Sequence, residues 1–419
     1  MNETGSWDWT TREKTVPVKA WEDMFEWVEE PYVSPDGEQI AAIVKTGDEE
    51  FNVCANGETW ETSFEKIWHL RFSPDGRLTA LVSAEGEWTV AIDGSPWENR
   101  FDYVWKTLFS ENGAHIAVAY QKDMKYGMAR DDQPWESNFV NMTYPTLNAE
   151  GSNTSACVQT VSFKEGEIFK FNQGAFTAAA NGKAWDKNFI NVWRSTFSSD
   201  GGSLAAEARV TKYDYTIVVD GVPWNQTYGS VWEPVFKPFS GNVAAPVRAD
   251  GGWTLAQDGQ IIWDSRYLQL WQQMFNPDGS KIAAIVSPSF GKWTIAVDNK
   301  PWRIRFNEMI TDAVFSPDGD RVAAVAKDKG KWTVTVDDSA WSNYFDMVWK
   351  PVFSADGRHL VAKVEKNGRY TFAINDRLWG TSCDMAWDPV FSPKGDLILL
   401  RTVEGGTYHR RIMPVSDLL

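Results

Sequence analysis

Four histidines (His69, His115, His359, His409) and three cysteines (Cys54, Cys157, Cys383) are the residues of this 419-residue chain whose chemistry is most often catalytic or metal-binding. They are scattered. No H-x-x-x-H pair, CxxC pair or CxxCH haem attachment is present, and no Cys/His group has metal-ligand spacing. Each histidine therefore reads as a surface residue or a hydrogen-bonded strand residue. A serine hydrolase needs the G-x-S-x-G elbow that exposes its nucleophile, and the string does not occur. Neither G-x-x-x-x-G-K-[ST] nor G-x-G-x-x-G follows a strand, so no phosphate-cradling loop is read. Carboxylates are the remaining candidates, 57 in number. The most conspicuous, Asp36, Asp75, Asp278 and Asp318, recur once per repeat, whereas a catalytic pair is placed once. A glycosidase pair converging from several repeats is the enzyme reading that survives.

The elements that would position such groups are short and repeated. Ser-Pro-Asp-Gly or a relative of it ends at Gly37, Gly76, Gly113, Gly151, Gly201, Gly241, Gly279, Gly319, Gly357 and Gly395. Pro fixes φ, Asp bonds its own backbone and Gly accepts positive φ, so each is a turn. A small-residue strand such as Arg321 to Ala326 follows, then a period-two strand such as Trp293 to Val297. That strand ends in a tight-hairpin pair: Asn56-Gly57, Asp93-Gly94, Asn181-Gly182, Asp220-Gly221 or Asp258-Gly259. A Trp comes next, ten times in all: Trp21, Trp60, Trp97, Trp135, Trp185, Trp224, Trp263, Trp302, Trp341 and Trp379. Its spacing is 37 to 39 with one step of 50.

Four strands in ~38 residues, repeated, predict an all-β fold of about ten four-stranded β-propeller blades. Residues 1–11 read as an N-terminal tail, 12–412 as one ten-repeat propeller and 413–419 as a C-terminal tail; two five-bladed rings are the alternative. Arg12 to Phe25 look like the late part of a repeat and Phe391 to Ile412 like the early part. Together they predict one blade made from both ends of the chain. The fourth anchor, Leu147 to Gly151, has lost Pro and Asp, and the sixth, Phe236 to Gly241, is altered. An insertion from Lys164 to Phe176 accounts for the long step and predicts an exposed loop. Its Phe169, Phe171 and Phe176 are the candidate partner contact.

The 24 tryptophans need a reason. Those opening the third strand (Trp88, Trp253, Trp293, Trp332), those after the hairpin and those before the anchor (Trp68, Trp105, Trp193, Trp232, Trp271, Trp349, Trp387) recur at fixed places. Fixed recurrence predicts wedges between blades, each burying ~150–250 Å², and a loss of ~3–5 kcal/mol for Trp349→Ala. Competing uses are sugar stacking, a peptide groove or an electron relay.

A net charge of −16 argues against nucleic acid and anionic lipid as direct partners. Met1 to Trp9 lack a basic start and an apolar run, no stretch approaches ~18 apolar residues, and three distant cysteines suit a reducing compartment.

The Ser-Pro-Asp-Gly anchors resemble WD40-like and TolB-type propeller repeats over nearly the whole chain. The denser combination at Trp88 to Trp105 joins Trp-Thr-Val-Ala-Ile-Asp-Gly and Pro-Trp to Phe-Asp and Val-Trp. It resembles the tryptophan-rich D subunit of the Tmc transmembrane redox complex of sulfate-reducing bacteria. The resemblance implies a soluble, cytoplasmic, non-catalytic scaffold without cofactors of its own. It would sit peripherally at the inner membrane, beside cytochrome and iron–sulfur subunits that carry the electrons of sulfate respiration. It supplies no catalytic, cofactor or metal residues. A small-ligand or glycan-binding propeller is the alternative.

Overall fold

The computed structural model describes residues 4–164 and 166–418, and these form ten antiparallel sheets, seven of four strands and three of five in which the first strand is split in two. They are numbered here as blades of a β-propeller in chain order: blade 1 (27–59), blade 2 (66–96), blade 3 (103–134), blade 4 (141–184), blade 5 (191–223), blade 6 (235–261), blade 7 (269–301), blade 8 (309–340), blade 9 (347–378) and blade 10 (385–414). Contacts divide the chain into two compact units, one holding blades 2–6 and the other blade 1 with blades 7–10.

Within each unit the second strand of a blade carries small apolar residues because both its faces are covered. In blade 8, Ala323 and Val325 pack with Val348, Leu360 and Ala362 of blade 9. The intervening Val322, Ala324 and Ala326 pack with Ala283, Ile285 and Ile295 of blade 7. Blade 3 repeats the pattern: Ile116, Val118 and Tyr120 face Leu81 and Trp97 of blade 2, while Ala117 and Ala119 face Met142 and Ala156 of blade 4. Period-two alternation here separates two neighbours rather than core from solvent.

The hairpins between third and fourth strands have the expected geometry. Asp93 and Gly94 lie at φ +47° and +83°, and Asn181 and Gly182 at +47° and +79°, the two positive values of a type I′ turn. Breaks in the first strand have a covalent cause. In blades 1, 6, 9 and 10 the strand is interrupted or shortened beside Pro31, Pro234, Pro351 and Pro389, which have no N–H for the ladder.

Blade 10 takes its outer strand from the beginning of the chain. Glu13–Val16 pairs antiparallel with Thr407–Pro414, Glu13 opposite Arg411 and Val16 opposite Tyr408. Trp21, Ile40 and Val44 then share a core with Val403 and Tyr408, so the first and last blades are neighbours. The final strand runs to Pro414, two residues past the expected limit, and Val415 and Leu418 are buried against Ile398 and Leu400. Of the expected N-terminal tail, Asp8 accepts a hydrogen bond from the buried Arg410; Met1 to Glu3 lie outside the described residues.

Candidate functional site

The repeated residues form the contacts between blades. The hairpin glycine of one blade sits on the post-hairpin Trp of the blade before it: a Cβ on Gly182 would lie 3.1 Å from Trp135, and one on Gly221 3.4 Å from Trp185. Trp21, Trp97, Trp135, Trp263 and Trp341 are less than 10% exposed. Trp135 also donates from Nε1 to Thr154 Oγ1 of blade 4 at 2.8 Å. The pre-anchor indoles behave differently. Trp349 is half-buried and lies beneath Lys363 Nζ at 4.7 Å, and Trp232 is 46% exposed, so these are partial covers and not full wedges. They pack on aromatic neighbours instead, as in the series Trp88, Trp68, Tyr103, Trp105 and Tyr126, whose successive centroids are 6.3, 6.0, 6.1 and 6.0 Å apart, the first and last pairs edge-on and the middle two stacked.

The aspartates have equally local partners. In the anchor turn, Asp318 Oδ1 accepts from Asp320 N and from Ser316 Oγ, and those hydrogen bonds hold its carboxyl below the usual range. Asp102 and Asp346, of the Phe-Asp pairs, accept from Asp123 N and Asn367 N in the turn between second and third strands. Their Phe partners bridge to the tryptophans that open the third strand, Phe101 to Trp88 and Phe345 to Trp332. Thr333, following Trp332, donates to Asn343 O at 2.9 Å. The Trp-Thr and Phe-Asp dipeptides are thus one linked motif, and only their shared spacing marked it in the sequence.

Cys54, Cys157 and Cys383 are buried and unpaired. Burial pushes the Cys157 and Cys383 thiols up to about 12, so both stay protonated. His115 faces Asp131 Oδ2 at 2.7 Å, His409 faces Glu13 Oε1 at 2.8 Å and His359 faces Asn375 at 3.1 Å. His69 differs, because it lies on the first strand of blade 2.

First strands of successive blades meet along one edge of the first unit, those of blades 3 to 6 strand against strand and that of blade 2 through His69 and Arg71 on Thr107 of blade 3. Each carries a bulge: between Trp68 and Arg71 in blade 2, Trp105 and Leu108 in blade 3, Thr143 and Thr146 in blade 4, and Trp193 and Ser195 in blade 5. The extra residue is left-handed each time: His69 at φ +56°, Lys106 at +62°, Tyr144 at +53° and Arg194 at +38°. Non-glycine residues reach this region at a cost, and a bulge turns the side chain out of the ladder. Four equivalent positions therefore present His, Lys, Tyr and Arg along one edge.

Beneath Arg194 is the most perturbed carboxyl of that edge. Glu207 lies opposite Trp193 on the second strand of blade 5, only 7% exposed, with Oε1 unpartnered. Burial pushes it up to about 7 against the opposing effect of Arg194, which itself pairs with Glu233, just ahead of blade 6. Beside it a hydroxyl chain runs from Ser195 to Ser155 at 2.9 Å and on to Thr146 at 2.5 Å.

The insertion lies between the second and third strands of blade 4. It holds a short helix, Ile168–Gln173, where a loop was expected, and Glu165 is outside the described residues. Ile168 is 63% and Phe169 55% exposed. Phe171 is half-buried and stands edge-on to Phe163 at 6.1 Å and to Phe176 at 6.3 Å. Phe176 belongs to the third strand itself, Phe176–Ala180, and bridges Phe189 as Trp88 bridges Phe101. It is a blade residue, and the insertion ends before it. Of the three phenylalanines, Phe169 is the one presented to solvent.

No family model and no curated protein sequence matches the chain. Among solved structures, a crystal structure of the eukaryotic initiation factor is similar at 13% identity and a TM-score of 0.45, over 91% of this chain and 94% of that one. The Myceliophteria_thermophila Cps50 (Swd1) β-propeller domain is similar at 12% identity and a TM-score of 0.33, over 65% of this chain and 96% of that one. Neither likeness assigns a ligand or an activity to this chain.

Proposed function

We propose that this propeller is a non-catalytic scaffold subunit that docks into a membrane-associated respiratory electron-transfer complex, next to cytochrome and iron–sulfur proteins. The Trp-Thr, Phe-Asp and Pro-Trp pattern of the repeats supports the choice of complex through its resemblance to the tryptophan-rich D subunit. One observation carries the docking role. Most of the repeated tryptophans, aspartates and glycines are occupied by blade-to-blade and turn contacts, whereas the insertion in blade 4, which interrupts the repeat as the altered sixth anchor does, holds the adjacent Ile168 and Phe169 out in solvent. Apolar side chains held outside the core mark a contact surface. The reading places the protein in the cytoplasm, held at the inner membrane by its partners.

Shortening the insertion tests it. Removal of residues 164–173, which leaves Phe176 in its strand, should preserve the folded protein and weaken its association with the haem and iron–sulfur subunits. Undiminished association by that variant, measured in a pull-down from detergent-solubilised native membranes, would remove the insertion as the contact.

A further inference from the structure

The first strands of blades 2–5, Lys66–Phe72, Tyr103–Phe109, Asn141–Leu147 and Asn191–Phe197, contain Lys66, His69, Arg71, Lys106 and Arg194 and not one Asp or Glu. The chain as a whole carries a charge of −16. Basic residues are thus concentrated on one edge of an acidic protein. Among the described residues Arg194 has a counter-ion, Glu233, but neither Arg71 nor Lys106 forms a salt bridge.

The cations of blades 2 and 3 converge. His69 Nδ1 lies 3.2 Å from Thr107 Oγ1, and Arg71 Nη1 donates to Thr107 O at 3.4 Å while its guanidinium rests over the Phe109 ring. His69 is held below its ordinary value first by burial and then by the positive charges of Arg71 and Lys106, and no carboxylate compensates. Two cationic or potentially cationic side chains on left-handed backbone, His69 and Lys106, and the Arg71 guanidinium beside them have a use if an anion comes between them.

We infer that the edge formed by His69, Arg71, Lys106 and Thr107 is a binding site for a small oxyanion, a phosphoryl or carboxylate group. Arg71 supplies a planar fork of donors and Lys106 a point charge. His69 supplies a third donor once protonated, and the Thr107 hydroxyl fixes its ring. The site is independent of the docking surface on the insertion.

The test is an NMR titration of the full-length protein, in which only four histidines compete for assignment. Inorganic phosphate added at constant ionic strength should raise the His69 pKa and shift its ring resonances saturably, with His115, His359 and His409 unmoved. Acetate in a parallel arm separates the two ligand sources: response to both anions indicates a carboxylate-tolerant site, response to phosphate alone a phosphoryl site. Lys106→Gln, at an exposed position, should weaken phosphate roughly tenfold, as expected for one lost charge-assisted contact, and Arg71→Gln should do the same. A His69 response no larger than that produced by chloride, or one that persists in both variants, would overturn the assignment.

Discussion

At the scale of single residues, similar side chains do different work according to burial. Trp135 is 8% exposed, fits beneath the Gly182 turn and donates to Thr154, so Trp135→Ala is expected to cost ~3–5 kcal/mol through cavity and lost hydrogen bond. Trp349 is half-buried under Lys363, and its replacement by Ala is expected to cost ~1–2 kcal/mol, less than its recurrence alone suggested. Chemical denaturation of the two variants side by side checks the order. Equal losses would mean that the pre-anchor indoles are wedges after all.

Glu207 gives a pH-dependent prediction at the same scale. Its carboxyl is raised to about 7, so between its unfolded value and 7 the folded state holds a proton that the unfolded state has released. Stability contributed by the neutral form is present at low pH and falls as pH rises through that window, by up to ~1.4 kcal/mol per unit. Glu207→Gln, which keeps the shape without the charge, should flatten the slope between pH 5 and 7 relative to the parent. Parallel stability curves for the two proteins would show that Glu207 is ionised in the fold.

At the scale of elements, the anchor turn joins blades as well as strands. Gly357 has φ +68°, and a Cβ there would lie 2.7 Å from Asp318 Oδ2 of the preceding blade. Gly357→Ala is therefore expected to destabilise by ~1–3 kcal/mol, more than the turn conformation alone requires. A thermal melt of Gly357→Ala against Gly330→Ala, at a left-handed glycine with nothing near its Cβ, separates strain from contact. Equal melts would assign the whole cost to φ.

The turns, the hairpin dipeptides and the four-strand rhythm were legible in the sequence because Gly, Pro and Asn/Asp have few backbone options. The bulges were not. Nothing in Trp-His, Trp-Lys or Trp-Arg announces a left-handed residue, and the basic edge emerges only when His69, Lys106 and Arg194, 37 or more positions apart, fall at equivalent places. Likewise Phe176 read as part of an insertion until its bridge to Phe189 showed it to be the counterpart of Trp88.

At the scale of the molecule, blade 10 joins distant parts of the chain through buried cations. Arg410 is fully buried, pairs with Glu38 at 3.0 Å and donates to Asp36 O, while Arg401 donates to Ser34 O and Pro35 O at 2.7 and 3.0 Å. Tyr408 OH donates to Gly37 O at 2.8 Å. These bonds tie the last sheet to the anchor turn of the first; between other blades a half-buried arginine reaches the next anchor turn in the same way, as Arg77 does to Gly113 O and Arg321 to Gly357 O. With most of the repeated side chains engaged in such contacts, the docking role proposed above rests on the irregular features, the insertion above all.

Isolation of the native protein from detergent-solubilised membranes, with haem and iron–sulfur absorbance measured per mole of chain, tests the scaffold most directly. Stoichiometric co-purification of both cofactor-bearing subunits is predicted, lost when the insertion is removed. A chain recovered alone, with neither absorbance and a sugar or other small molecule retained instead, would contradict it.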